Sequence, residues 1–170
     1  MKIVKYVLFM FILLVSGCSS KENSDEIRVG VVAGPEAQLM EVAKAVAIKK
    51  YGLHVKVLDF SDYVTPNTAL AEGDIDANAY QHEPFLEAQI KAHHYKMTPV
   101  GKTFLYPMGL YSKKIKRLSQ LQEGAQIAVP NDPSNEARAL LLLQKAGLIG
   151  LKPGVGASAS LQDIMSNPRN

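Results

Sequence analysis

The sequence predicts an α/β protein built as two lobes, and three observations lead there. Strand-like and helix-like segments alternate from residue 27 onward. A long extended stretch, Thr98 to Ser112, is broken by Pro107 and Gly109, as expected of a chain leaving one sheet for another. Beyond it a second strand–helix unit begins. Strand, crossover helix and strand in this order imply parallel pairing.

Ile27 to Ala33 is rich in β-branched residues and runs into Gly34-Pro35. Proline in the first turn and Glu36 near the positive dipole end mark a helix start. Leu39, Met40, Ala43, Val46 and Ala47 then recur at helical spacing, and Gly52 closes the helix. Leu53 to Phe60 reads as a second strand, Pro66 to Glu72 as a short helix stopped by Gly73, and Ile75 to Tyr80 as a third strand. Glu83-Pro84 opens a further helix through about His94. In the second unit Ala125 to Pro130 is expected as a strand and Pro133 to Ala146 as a helix. Asp132 suits its N-cap, Pro133 its first position and Gly147 its end. Ala139, Leu140, Leu142 and Leu143 form its apolar stripe. No repeat or low-complexity segment interrupts the pattern.

The one cysteine, Cys18, ends the run Val15-Ser16-Gly17-Cys18. Lys2 and Lys5 form a basic start, and the apolar stretch Tyr6 to Val15 matches a signal-peptide core and is too short to cross a bilayer. Residues 1–17 are therefore expected to be a lipoprotein signal peptide, with Cys18 the acylated residue that anchors the mature chain to a membrane. An ordinary secretory signal and an N-terminal membrane helix are the alternatives. Residues 18–26 are polar and aperiodic, fitting a flexible lipidated tether. Without Lys2 and Lys5 the 19 basic residues fall to 17 against 16 acidic ones. That balance argues against nucleic-acid binding.

Signatures of catalysis are missing. The sequence has no Gly-x-Ser-x-Gly elbow, no phosphate-binding Gly-x-x-x-x-Gly-Lys-Ser/Thr loop and no His-Glu-x-x-His. The glycines from Gly147 to Gly156 follow a helix rather than a strand, so a nucleotide loop fails on context. Its four histidines lack paired i,i+4 spacing, and no thiol remains after lipidation, which disfavours a metal site. No enzyme, no cofactor and no metal are expected.

Three blocks carry a resemblance: Asp76-Ala-Asn-Ala-Tyr-Gln-His-Glu-Pro-Phe-Leu86, Val100-Gly-Lys-Thr-Phe-Leu-Tyr-Pro-Met-Gly-Leu-Tyr-Ser112 and Ile127-Ala-Val-Pro-Asn-Asp-Pro-Ser-Asn-Glu-Ala-Arg-Ala-Leu-Leu-Leu-Leu143. In order and spacing the chain resembles the NlpA-type methionine-binding lipoproteins, the tethered receptors of methionine ABC importers. The resemblance covers the chain from the signal peptide onward. Family members run further, so the last residue, Asn170, is expected to fall inside a helix of an incomplete second lobe.

The resemblance implies a periplasmic-binding-protein-like fold, with a first lobe at 27–106, a crossover hinge at 107–112 and a partial second lobe at 113–170. It also implies a function, capture of methionine (L or D) or a close analogue and delivery to a membrane permease with its ATPase. The implied location is the cell membrane, facing the periplasm or the exterior. Tyr63, Tyr80 and Phe85 match the family's aromatic residues around the thioether, a favourable neighbour for aromatic rings. Arg138 matches the arginine that grips the carboxylate, for which a planar guanidinium is suited. His82 matches a polar residue of the same wall. Read without the resemblance, Tyr63 fits a surface loop, Tyr80 and Phe85 a core, and Arg138 a solvated helix position paired with Glu136. The alternative function is a surface lipoprotein or antigen, or a remnant that binds no solute.

Overall fold

The structure, a computed structural model, describes residues 26–169. The signal segment, Cys18 and most of the tether, with Asn170, lie outside the described residues.

β1 (Glu26–Val32) pairs in parallel with β2 (His54–Phe60) along its whole length, from Glu26 opposite His54 to Val32 opposite Phe60. Between them runs α1 (Pro35–Tyr51), ended by Gly52 in the left-handed conformation, as its position after the last periodic residue predicts. Beyond β2, α2 (Thr65–Glu72) leads to β3 (Ala77–Asn78), which pairs in parallel on the other side of β1. The sheet order is therefore β2-β1-β3. At its centre Gly30 admits no side chain, because an added Cβ would lie 2.7 Å from Ile75 and 2.9 Å from Phe60.

The third strand is shorter than the expected Ile75 to Tyr80. Extended backbone contacts do continue on either side, from Asp76 N–H to the Arg28 carbonyl and from Ala79 N–H to that of Gly30. The Arg28 N–H, however, donates to the Asp76 carboxylate at 2.7 Å. A side chain thus occupies the ladder position that a strand backbone would take. The Arg28 guanidinium closes the same pair from Nε and Nη2, both at 3.1 Å.

α3 (Glu83–His93) follows, then the stretch 98–112, a short 3₁₀ turn (Leu118–Gln120) and α4 (Pro133–Lys145). Asp132 caps α4 by accepting from Asn135 N–H at 3.0 Å, and Gly147 beyond its end has φ 71°. Ala137, Ala139, Leu140 and Leu143 form the buried face, with Leu142 half-buried at its margin. Leu140 alone contributes roughly 1.5–3 kcal/mol by burial. Ala137 and Leu140 pack with Leu151 and Ala159, and Ile149, Val155 and Ile164 surround them.

Two expectations about the second half of the chain are corrected. Residues 98–112 and 125–130 take no regular secondary structure, and neither enters a ladder among the described residues. A strand exists only where a neighbour takes its N–H and C=O groups, and no described segment does so here. The residues before the end are not helical either. β5 (Ile164–Ser166) pairs antiparallel with β4 (Gly150–Leu151), with an irregularity at Gly150 and Leu151. In α1 no residue is fully buried, and Val42 is 62% exposed.

Candidate ligand site

The loops at the carboxyl ends of β2 and β3 carry the first set of candidate residues, where ligands bind in open parallel sheets. Asp62, just after β2, accepts from Val64 N–H at 2.7 Å, Thr65 N–H at 2.8 Å and the Thr65 hydroxyl at 2.7 Å. These bonds hold its carboxyl below the ordinary value, the Thr65 backbone contributing most. They also fold the loop tightly, which sets Tyr63 against the ring of Phe85 at 5.5 Å between centroids and 72° between planes.

After β3 the chain presents Tyr80 and His82, each with its ring 6.4 Å from Phe85. His82 is the N-cap residue of α3, and its carbonyl accepts from Phe85 N–H at 3.1 Å, the first turn that points Phe85 inward. Phe85 is 3% exposed. Tyr63, Tyr80 and His82 thus form one aromatic wall around a buried phenyl ring. Edge-on contacts of Tyr63 and Tyr80 match the ring quadrupoles.

The wall has polar atoms to spare. The Tyr80 hydroxyl and His82 Nε2 are buried, and neither has a hydrogen-bond partner among the described residues. Burial pushes the Tyr80 hydroxyl well above the ordinary phenol range, with the charge of Asp62 adding to it. Burial also holds the His82 imidazole below its usual value. The positive charge of Arg138 adds to that, and Asp132 opposes it. Hydrogen bonds link the guanidinium to the wall through Asn135 and Asp132, the residue that Tyr63 contacts.

Arg138 sits on the second turn of α4. Its Nη1 donates to Asn135 Oδ1 at 3.0 Å and its Nη2 to the Tyr106 carbonyl at 3.4 Å. It does not pair with Glu136, whose carboxylate instead accepts from Leu161 N–H at 2.9 Å. Tyr63, Tyr80, His82 and Phe85 thus share one set of ring contacts, and Arg138 joins them only indirectly, through Asn135 and Asp132. Two cavities among the described residues, of about 130 and 160 Å³, lie elsewhere. The first separates residues 108–110 and 127–130 from the stripe of α4, and the second lies under Leu148 and Ile164. The first is lined by backbone and apolar side chains, while the second also carries Gln122, Asn167 and Arg169.

Sequence reasoning saw Asp132 only as a cap, and missed its second role. Its carboxylate accepts from Ser134 Oγ at 2.7 Å and from Asn135 Nδ2 at 3.0 Å, and Tyr63 OH donates to it and to Asn131 Oδ1, each at 3.4 Å. Burial by itself raises the Asp132 carboxyl, but these hydrogen bonds together hold it below the ordinary value. Burial and the Asp132 charge in turn raise the Tyr63 hydroxyl. The Asx pattern of residues 131–135 signalled the cap; nothing in spacing linked it to Tyr63. Among the described residues no three His, Cys, Asp or Glu side chains gather as a metal site.

The rings follow the carboxyl ends of parallel strands and Arg138 comes from α4, in an α/β protein of the periplasmic-binding-protein type. The chain belongs to the NlpA lipoprotein family, whose profile matches residues 27–170. It is 56% identical over 159 residues to the D-methionine-binding lipoprotein MetQ of Salmonella typhimurium, covering 93% of this chain and 59% of that one. Among solved structures it is similar to a periplasmic substrate-binding protein of an ABC transporter from Coxiella burnetii. That match has a TM-score of 0.79 at 64% identity, over 84% of this chain and 60% of the other. A nutrient-binding protein from Burkholderia cenocepacia, solved bound to methionine, matches with a TM-score of 0.80 at 53% identity, over 84% and 61%. The chain thus spans about three fifths of the length of these relatives.

Proposed function

We propose that this protein is the lipid-anchored substrate-binding component of an ABC importer and that it captures methionine, L or D, for a membrane permease and its ATPase. One observation carries the reading: Tyr63, Tyr80 and His82 surround Phe85, and Arg138 is linked to Tyr63 through Asn135 and Asp132. The rings suit a thioether and the guanidinium a carboxylate. The unpartnered Tyr80 hydroxyl and His82 Nε2 offer further polar contacts. The methionine bound in the Burkholderia protein and the transporter role of the Coxiella protein support the assignment.

Two lobes, 27–106 and 113–170, would close about residues 107–112, and the ligand would stabilise the closed form by touching both. Cys18 would hold the molecule to the membrane on its periplasmic or outer side, with residues 19–26 as the tether. Burying a methionine side chain contributes roughly 1.5–3 kcal/mol, and a charge-assisted bond roughly 1.5–3 more. A micromolar complex requires about 8 kcal/mol, so groups contacting the ligand's ammonium must supply the rest.

Calorimetry with L- and D-methionine tests the reading. Saturable heat with the wild-type chain, weakened about ten-fold or more in Arg138→Ala, is the expected result. No saturable heat with either enantiomer removes the methionine assignment. Binding that Arg138→Ala leaves unchanged makes the arginine a bystander.

A further inference from the structure

The most deeply buried polar side chain among the described residues is Asn67, at 0% exposure, in the first turn of α2. It does not face the ring wall, yet it is tied to it. Asn67 Nδ2 donates to Gln81 Oε1 at 2.9 Å, and Gln81 Nε2 returns to Asn67 Oδ1 at 2.8 Å. Asn78 Nδ2 donates to the same Asn67 oxygen at 2.9 Å, and Gln81 Nε2 reaches Asn78 Oδ1 at 3.1 Å. A weaker bond from Asn78 Nδ2 to the Pro66 carbonyl, at 3.4 Å, completes the set. Three amides from α2, β3 and the connection to α3 are thus closed into one hydrogen-bonded unit.

Gln81 lies between Tyr80 and His82. The backbone there is extended, with His82 at φ −89° and ψ 157°, so neighbouring side chains point to opposite faces. Tyr80 and His82 both approach Phe85, while Gln81 points back to Asn67. An apolar trio of similar volume would fill this space at little or no loss of stability. What the amides add is a single geometry, since a satisfied buried network admits few alternative arrangements.

We propose that Asn67, Asn78 and Gln81 are positioning residues for the ring wall: their amide lock fixes the direction in which Tyr80 and His82 face Phe85, and with it the shape of the subsite for a flexible apolar side chain. The proposal rests on the ligand-binding reading above for its functional meaning, though not for its geometry. A slack lock would let the Tyr80–His82 segment turn and misplace the two rings together, leaving Tyr63 and Arg138 where they are.

The test uses the full chain and two variants. One replaces all three amides with leucine (Asn67→Leu, Asn78→Leu, Gln81→Leu), restoring an apolar fill. The other, Gln81→Met, changes one half-buried member alone and remains informative if the triple variant does not fold. Three measurements are compared with wild type: thermal midpoint, the NMR titration of the His82 imidazole without ligand, and calorimetric affinity for L-methionine against L-norleucine. The expected result is a folded variant whose His82 titrates nearer the ordinary imidazole value. Its methionine affinity falls about ten-fold or more, and its preference over norleucine shrinks. A merely structural amide cluster would shift the midpoint and leave the titration and the preference in place, which overturns the proposal. If wild type binds neither amino acid, the ligand assignment fails, while the His82 titration still decides whether the lock positions the ring.

Discussion

Asp132 joins the start of α4 to the loop that holds Tyr63, so its replacement should be felt twice. In Asp132→Ala the helix loses its cap, which costs about 0.5–2 kcal/mol. The Tyr63 hydroxyl loses an acceptor only at 3.4 Å, a weak contact that water readily replaces. Ser134 and Asn135 are half-buried rather than sealed, so their freed groups add little to the penalty. The expected total is about 1–2 kcal/mol, or roughly 3–6 °C in thermal midpoint followed by circular dichroism. Asp132→Asn separates shape from charge. Asparagine caps as well as aspartate, so this variant should keep the cap but lose the charge–dipole part, about 0.3–1 kcal/mol at low salt, together with the contacts that Asn135 Nδ2 and Tyr63 make to the second carboxylate oxygen.

The acid dependence of that difference supplies the sharper check. Hydrogen bonds hold the Asp132 carboxyl below its ordinary value in the folded protein, so the ionised form favours folding. Its contribution is complete above the unfolded value of about 4 and disappears as pH falls further, through the folded value. The gap in midpoint between wild type and Asp132→Asn should therefore be constant from neutrality down to about pH 4 and narrow below it. A gap that widens on acidification, or an Asp132→Ala midpoint equal to that of wild type, refutes the cap and its charge as described.

Two further outcomes are expected, beside the loss of affinity in Arg138→Ala. Gly30→Ala should destabilise the sheet by about 1–3 kcal/mol, the usual cost of overpacking, because the new methyl meets Ile75 and Phe60 below 3.0 Å; an unchanged denaturant midpoint would show that those side chains give way freely. Cys18→Ser should move the protein from the membrane to the soluble fraction on cell fractionation, and continued retention would point to an uncleaved apolar segment instead.

Much of the first sheet was legible because its signals are local. The β-branched run of β1, the Pro at the head of each helix and the glycines after α1 and α2 each act within a few residues. The site was legible for another reason: a resemblance carried Tyr63, Tyr80, His82, Phe85 and Arg138 as a group, where periodicity alone left Tyr80 and Phe85 as plain core. What escaped was non-local. No spacing rule announces that Asp76 will cover the Arg28 N–H and shorten β3. None pairs Tyr63 with Asp132, which follow different elements, or closes Asn67, Asn78 and Gln81 into one unit. Residues 125–130 show the converse failure. Their composition is that of a strand, but composition describes what a segment can pair with, and pairing requires a neighbour.

The site's two halves are held by different means, and this bears on how it would act. The ring wall is anchored from within the first sheet unit, by the Asp62 turn on one side and the amide lock on the other. The guanidinium is anchored from α4, through Asn135, and from the 98–112 stretch, through the Tyr106 carbonyl. Among the described residues, the hydrogen bonds that cross from the wall to the start of α4 are the long ones of Tyr63 to Asn131 and Asp132, beside the packing of α3 on α4. Hydrogen bonds of 3.4 Å are easily exchanged for water, so they permit relative movement while the two anchored sets stay intact. A ligand that bridges rings and guanidinium would replace a weak link by a strong one, which is the energetic condition for a closed state that forms on binding.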